Sequence, residues 1–205
     1  AKAGKDAWEH DLACVSGSIS TSEEYHPNEM MIVAAAREIK KKVVKNGYRT
    51  ILTGAGTLCL ASWLAYYWLR EEGYGLDLLG GLGQMGYMPL PRQTDPLSNI
   101  AHVLACKVLT DTTEIYGVVV GGENAKCLSV LGALQIDKFG NINNSRVGEL
   151  SIGPGGATDA INASETLVVV RHSPNRLVER VSYITCPGNR IKTLVSSMGV
   201  FEKPK

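Results

Sequence analysis

Apolar residues recur along the chain first at helical spacing and then in short continuous runs. Between Asn28 and Lys45 they fall three or four positions apart, which predicts an amphipathic helix that begins at Pro27 and stops at Asn46-Gly47. The next four segments have the patterns of a strand, a glycine turn, a helix and a strand: residues 48–53, 54–56, 57–72 and 76–79. This order is that of a βαβ unit, which predicts a parallel sheet.

The rest of the chain continues with short strand-like runs. Segments rich in β-branched residues predict five further strands, at residues 116–120, 128–131, 167–170, 182–185 and 192–195, and turn residues fill 137–141. The first 26 residues are polar and have no sustained period, so they are predicted to form an N-terminal arm, residues 1–26, before a single domain, residues 27–205. The predicted fold class is α/β, with an open, mainly parallel sheet flanked by helices.

Composition and charge exclude several classes of function. Lys and Arg number 21 and Asp and Glu number 20 among 205 residues, and no basic stripe is present, so nucleic-acid binding is not expected. The most apolar stretch, residues 58–69, is shorter than the ~20 residues that a membrane span needs. Five Cys without a Cys-x-x-Cys pair indicate reduced thiols and a cytoplasmic protein, and no His pair has metal-ligand spacing, so no metal site is predicted.

Two regions of the chain are candidates for chemistry. Gly54 and Gly56 lie where a strand meets a helix and could offer amide groups to an oxyanion, although such a turn also serves close packing. Cys59 stands where a dinucleotide fingerprint would need its third glycine; it is expected to be a core residue rather than a nucleophile. Glu123, after the strand predicted at 116–120, is a weak candidate for a catalytic carboxylate, and a solvated loop residue is the alternative.

Four segments carry a resemblance to a known family. Residues 28–38, the turn at 53–56, the stretch Gly-Ala-Leu-Gln-Ile-Asp-Lys-Phe-Gly-Asn-Ile-Asn at 132–143 and the loop Gly-Pro-Gly-Gly-Ala-Thr-Asp at 153–159 follow one another in the family's order, and residues 183–188 and 198–201 resemble its closing strands. The chain thereby resembles the β-type subunits of family I CoA-transferases, and most of all those of glutaconate CoA-transferase.

The resemblance implies an α/β heteromer that acts on a coenzyme A thioester. The expected partner is an α-type subunit, in a heterodimer or heterotetramer, and no cofactor is expected to stay permanently bound. In this family a Glu on the strand after the first βα unit attacks the acyl-CoA. At the matching place this chain has Leu79, Gly80 and Gly81, and Asp77 faces the other side of the strand from Gly80, so the covalent intermediate is not expected at that site of this chain.

These observations lead to three hypotheses. The first is a β-type subunit that acts on an acyl-CoA by hydrolysis, C–C cleavage or decarboxylation; the second is a genuine CoA-transferase whose catalytic Glu lies on the α-type partner; the third is a non-catalytic structural subunit. Eight residues are predicted to contact substrate or CoA: Gly80, Gly81, Gln84, Asn143, Gly153, Gly155, Gly156 and Ala157.

Overall fold

The structure is a computed structural model that describes residues 2–17, 22–90 and 100–203. Five α-helices lie in these ranges: α1 (Lys2–Ser16), α2 (Pro27–Asn46), α3 (Thr57–Glu71), α4 (Ile100–Ala105) and α5 (Ala157–Ala160). A π-helix (Glu114–Val120) and a 3₁₀ turn (Gly188–Arg190) accompany them.

The described residues also form thirteen strands. They are β1 (Thr50–Leu52), β2 (Asp77–Gly80), β3 (Gln84–Met85), β4 (Val108–Leu109), β5 (Cys127–Leu131), β6 (Gln135–Asp137), β7 (Ile142–Asn143), β8 (Arg146–Val147), β9 (Leu150–Ser151), β10 (Glu165–Val170), β11 (Leu177–Val178), β12 (Ile191–Ser196) and β13 (Gly199–Glu202).

Eight of these strands form one sheet in the order β13-β12-β10-β5-β1-β2-β3-β4. The five strands from β12 to β2 pair in parallel, and antiparallel strands are added at both ends. The predicted fold class, an open and mainly parallel sheet flanked by helices, is confirmed. A three-stranded sheet, β11-β6-β7, and the hairpin β8-β9 lie outside the main sheet.

Two apolar cores lie on opposite faces of the main sheet, because successive side chains of a strand point to opposite sides. In β10, Leu167 and Val169 pack with α2 and α3, whereas Val168 and Val170 pack with α5, the π-helix and the small sheet. Every residue of β10 is buried, as expected of a central parallel strand.

Helix α2 begins and ends as its sequence predicts. The His26 side chain accepts a hydrogen bond from the backbone N–H of Asn28, and the Glu29 carboxylate accepts one from the N–H of His26, which closes a capping box. At the other end Gly47 adopts a φ of 67°, a left-handed conformation that glycine adopts at low cost.

No helix in the described ranges is long and apolar enough to cross a bilayer.

Two of the predicted strands are wrong. The run at 116–120 belongs to the π-helix, with Ile115 and Val120 buried one π-turn apart, and residues 182–185 connect elements without forming a strand. Short apolar runs fit a strand or a buried helical turn equally well, which explains the first error. Within the predicted N-terminal arm, Lys2–Ser16 forms the helix α1.

Candidate functional site

The turn after β1 lies at the switch point of the sheet. Strand β1 pairs with β2 on one side and with β5 on the other, and ligands of open α/β sheets bind outside the carboxyl ends of strands at such a point. A Cβ on Gly54 would lie 2.7 Å from the carbonyl oxygen of Val130 in β5, so this glycine permits close packing. Gly56, at φ 72°, precedes α3 and has open space around its Cα.

The backbone amides of this turn are available to a ligand. Among the described residues, none accepts a hydrogen bond from the N–H of Gly54 or of Gly56. A helix terminus with unpaired N–H groups favours negative charge, which agrees with the predicted oxyanion role. Cys59, in the first turn of α3, is fully buried in the core, as predicted.

Thr53 ties the turn to the end of β2. Its N–H and its hydroxyl both donate to the carbonyl oxygen of Leu79, each over 3.1 Å. Behind it lie the buried hydroxyl of Tyr87, 2.8 Å from Thr53 Oγ1, and the Trp63 indole, which donates to Tyr87 Oη over 3.1 Å. The rings of Trp63 and Tyr87 also pack against that of His102, at centroid distances of 5.3 and 5.0 Å.

Leu79, Gly80 and Gly81 occupy the position where the resemblance places the catalytic Glu motif. The Leu79 side chain is fully buried in the apolar core. Asp77, at the opposite end of β2, forms an ion pair with Lys107 (2.5 Å), so it is not a substitute carboxylate. Side chains of the protein itself fill the space beside both glycines: a Cβ on Gly80 would overlap Gln84 Oε1, and one on Gly81 would overlap Tyr116 Oη.

Gln84 places at this end of the sheet a buried oxygen atom that has no hydrogen-bond partner among the described residues. The side chain is only 2% exposed, and its Oε1 accepts no hydrogen bond from the described residues. A buried acceptor without a partner costs about 1–3 kcal/mol, and sites that await a ligand hold such groups. The role of Gln84 in substrate binding stays a prediction, and this orphan acceptor supports it.

Tyr116 joins two of the predicted glycine segments. A Cβ on Gly156 would also overlap its Oη, so the phenol tip rests against Gly81 on one side and Gly156 on the other. Burial, and then the nearby Asp159, raise the pKa of the Tyr116 hydroxyl above its ordinary value, which keeps it protonated at neutral pH. Sequence reasoning missed this residue because it lay inside a strand that does not exist. Gly81 and Gly156 are the signal in the sequence, because two positions without a Cβ leave room for a side chain from elsewhere in the fold, here that of Tyr116.

The remaining predicted contacts divide into an open loop and a buried turn. Gly153 and Gly155, at φ 86° and 55°, have open space around them and lie exposed ahead of α5, whereas Ala157 is buried. Asn143 is fully buried: its amide nitrogen donates to Gln135 Oε1 and to the Arg146 carbonyl, and its oxygen accepts from two backbone N–H groups. All four of its hydrogen bonds are used within the chain, which gives the amide a structural role; its contact with CoA stays a prediction.

Glu123 lies away from the glycine segments. Because 116–120 is a helical turn, Glu123 lies exposed in the turn before β5, at the amino ends of the parallel strands. The glycine turn at 54–56 lies at the carboxyl ends of these strands, at the opposite end of the sheet from Glu123. Glu123 is therefore a solvated loop residue, the alternative given above.

Comparisons with known proteins find relatives in sequence and in structure. No family model matches the chain. The β-type subunit of glutaconate CoA-transferase from Acidaminococcus fermentans is 24% identical over 173 residues, which cover 80% of this chain and 61% of the relative. The β-type subunit of 3-oxoadipate CoA-transferase from Pseudomonas knackmussii is 30% identical over 173 residues, covering 80% and 62%. The chain thus spans less than two thirds of the length of these relatives.

Solved structures show the same fold. The crystal structure of glutaconate coenzyme A-transferase from Acidaminococcus fermentans superimposes with a TM-score of 0.74 at 20% identity, over 90% of this chain and 77% of that one. The decarboxylase AibA/AibB superimposes with a TM-score of 0.64 at 22% identity, over 87% and 74%. The resemblance seen in the sequence is confirmed, and the chain is a homologue of the β-type subunits of CoA-transferases.

Proposed function

We propose that the chain is the β-type subunit of a CoA-transferase-like heteromer that acts on an acyl-CoA thioester without forming a glutamyl-CoA intermediate on this subunit. The reaction classes that fit are hydrolysis, C–C cleavage and decarboxylation. The observation that carries the proposal is Leu79: an apolar, fully buried side chain stands where the resemblance requires a nucleophile.

The surrounding groups suit a thioester. The amides of Gly54 and Gly56 lie unpaired among the described residues at the start of α3, where they can accept negative charge that develops on a thioester oxygen. Removing one such donor typically lowers kcat by about 10²–10³-fold. The orphan oxygen of Gln84 and the hydroxyl of Tyr116 supply one acceptor and one donor next to the same strand end.

The relatives support a CoA thioester as the substrate, and a structural neighbour supports a reaction other than CoA transfer. The relatives that align in sequence are CoA-transferase subunits, whereas the superimposable structure AibA/AibB is a decarboxylase. One fold therefore carries both kinds of reaction, and the residues at the site decide between them.

The test is intact-protein mass spectrometry of the chain co-expressed with its α-type partner. The complex is exposed briefly to candidate acyl-CoAs and treated with borohydride, which reduces a glutamyl thioester and leaves a mass change. We expect the substrate to be consumed while the mass of neither chain changes.

Two other outcomes correspond to the alternative hypotheses. A mass change on a Glu of the α-type partner would establish CoA transfer with the nucleophile in trans. If the partner is fully active on its own, this chain is a non-catalytic structural subunit. A mass change on this chain would contradict the proposal directly.

A further inference from the structure

We infer that the Tyr116 hydroxyl donates the proton that the acyl group takes up when a C–C bond next to the thioester is broken. This inference rests on the function proposed above and names a residue for its chemical step. Tyr116 lies on the π-helix, outside the glycine segments on which the sequence resemblance is based.

Tyr116 reaches the carboxyl end of β2. Leu79 lies in β2 near this end, and Gly81 is the first residue of the turn that follows the strand. Tyr116 packs against the apolar cluster that contains Leu79, and its Oη lies over Gly81. The phenol tip is thus placed beside Gly81, within the segment where the resemblance places the catalytic Glu motif.

The Tyr116 hydroxyl is also free to act on a ligand. Its oxygen rests against Gly81 and Gly156, two residues without a Cβ, and no described residue forms a hydrogen bond with it. Tyr116 is only half-buried, so the hydroxyl can meet a bound molecule. A protonated phenol without an acceptor, held between two predicted substrate loops, has its proton free for transfer.

The chemical step balances without any further co-reactant. When the C–C bond to the departing carboxylate breaks, the carboxylate leaves as CO₂, and the electron pair of the bond stays on the α-carbon and is delocalised onto the thioester oxygen. The O–H bond of Tyr116 then breaks as a C–H bond forms at the α-carbon, which leaves a phenolate. The amides of Gly54 and Gly56 are placed to stabilise the negative charge on the thioester oxygen.

The phenolate regains its proton from water. Tyr116 also lines an open cavity of about 480 Å³ whose polar walls include Thr112, Asp159 and Arg190. Water enters this cavity from bulk solvent, so the phenol can be reprotonated after each turnover.

The test uses the co-expressed complex and butyryl-CoA as the probe. Proton donation and proton removal at C2 are one reaction in two directions, so exchange of the C2 hydrogens in D₂O reports the step without net turnover. We expect Tyr116→Phe to lower the exchange rate by about 10²–10⁴-fold, the usual contribution of a general acid, while the Kd for butyryl-CoA changes less than about threefold. Tyr25→Phe, a change at an exposed tyrosine, is the matched control and should exchange at the wild-type rate.

A binding measurement separates failure of this inference from failure of the proposed function. With 3-fluorotyrosine in this chain only, the ¹⁹F resonance missing from Tyr116→Phe belongs to Tyr116 and should shift when butyryl-CoA is added. If butyryl-CoA binds and Tyr116→Phe exchanges at the wild-type rate, or the wild type shows no exchange at all, the inference is overturned and the proposed function stands. If no CoA thioester binds to the complex, both are overturned.

Discussion

The hydroxyl oxygens of Thr53 and Tyr87 lie 2.8 Å apart, and the groups on either side of them fix the direction of the hydrogen bond. The Thr53 hydroxyl donates to the Leu79 carbonyl, so its oxygen accepts from Tyr87, and Tyr87 accepts in turn from the Trp63 indole, which can only donate. A single chain of donors therefore runs from α3 to the carboxyl end of β2. It holds the glycine turn and the strand end of the candidate site in one arrangement.

Tyr87→Phe should lower the free energy of unfolding by about 1–3 kcal/mol, because it leaves the buried indole N–H of Trp63 without its acceptor. Thr53 keeps its bond to Leu79 but loses the donor behind it. Urea unfolding of the two proteins measures the difference. Tyr25→Phe removes a hydroxyl from a side chain that is 81% exposed and should change stability by less than about 0.5 kcal/mol. Equal stabilities for wild type and Tyr87→Phe would show that the donor chain contributes nothing.

Gly156→Ala should destabilise the protein through Tyr116 alone. Gly156 has an ordinary φ of −82°, so alanine brings no backbone strain, but its Cβ would overlap Tyr116 Oη and lie 2.8 Å from Cζ. Forcing the ring aside costs about 1–3 kcal/mol.

A double-mutant cycle checks this explanation. In a Tyr116→Ala background the cost of Gly156→Ala should nearly disappear, which gives a coupling energy of about 0.5–3 kcal/mol. Gly75→Ala, at a glycine with nothing within 4 Å of its added Cβ, serves as the control without a clash. Additive effects of the two substitutions would mean that the phenol does not occupy the space beside Gly156.

The sequence predicts the central strands and helices of this protein better than the roles of its polar side chains. Strands β1 and β2 and helices α2 and α3 fall close to their predicted bounds, because periodicity, glycines and caps all agree there. Asn143 is correctly placed in its motif, yet its amide is consumed by a buried turn, and a sequence pattern does not show burial. Tyr116 was hidden by the apolar run around it, whose π-helical winding depends on packing against the rest of the core.

Stability should decline at alkaline pH, and Tyr87 should account for part of that decline. Burial raises the pKa of the Tyr87 hydroxyl well above 10, the value expected in the unfolded chain, and raises the pKa of Cys127 from 9.0 to about 11. Each raised group stabilises the native state fully below its unfolded pKa, and the contribution is lost as pH rises towards its folded pKa. The free energy of unfolding should therefore fall from about pH 9 upwards, by up to about 1.4 kcal/mol per pH unit for each group.

Urea unfolding between pH 8 and pH 11 measures this dependence. Tyr87→Phe should start from a lower stability at pH 8 and lose less of it above pH 10, because it has no phenolic proton to release on unfolding. Parallel curves for the two proteins would contradict the assigned role of Tyr87.

A buried ion pair lies at the amino ends of the strands, between Lys42 and Glu165. Glu165, 2% exposed at the start of β10, accepts hydrogen bonds from Lys42 Nζ (2.5 Å), Tyr48 Oη (2.9 Å) and Asn46 Nδ2 (3.2 Å), which join it to α2 and the segment that follows. Glu165→Gln removes the negative charge and leaves a buried ammonium group unpaired, which costs about 3–5 kcal/mol. Glu72→Gln, at the exposed ion pair with Lys40, should cost at most about 1 kcal/mol.

The unpaired charge, rather than the lost hydrogen bonds, should be the cause of the larger effect. Adding Lys42→Met to Glu165→Gln removes the ammonium group while the carboxamide oxygen still accepts from Tyr48, so most of the stability should return. Urea midpoints at an unchanged m-value report each step. If the double substitution is as unstable as Glu165→Gln alone, the cost lies in the packing of α2 on β10 and not in the buried charge.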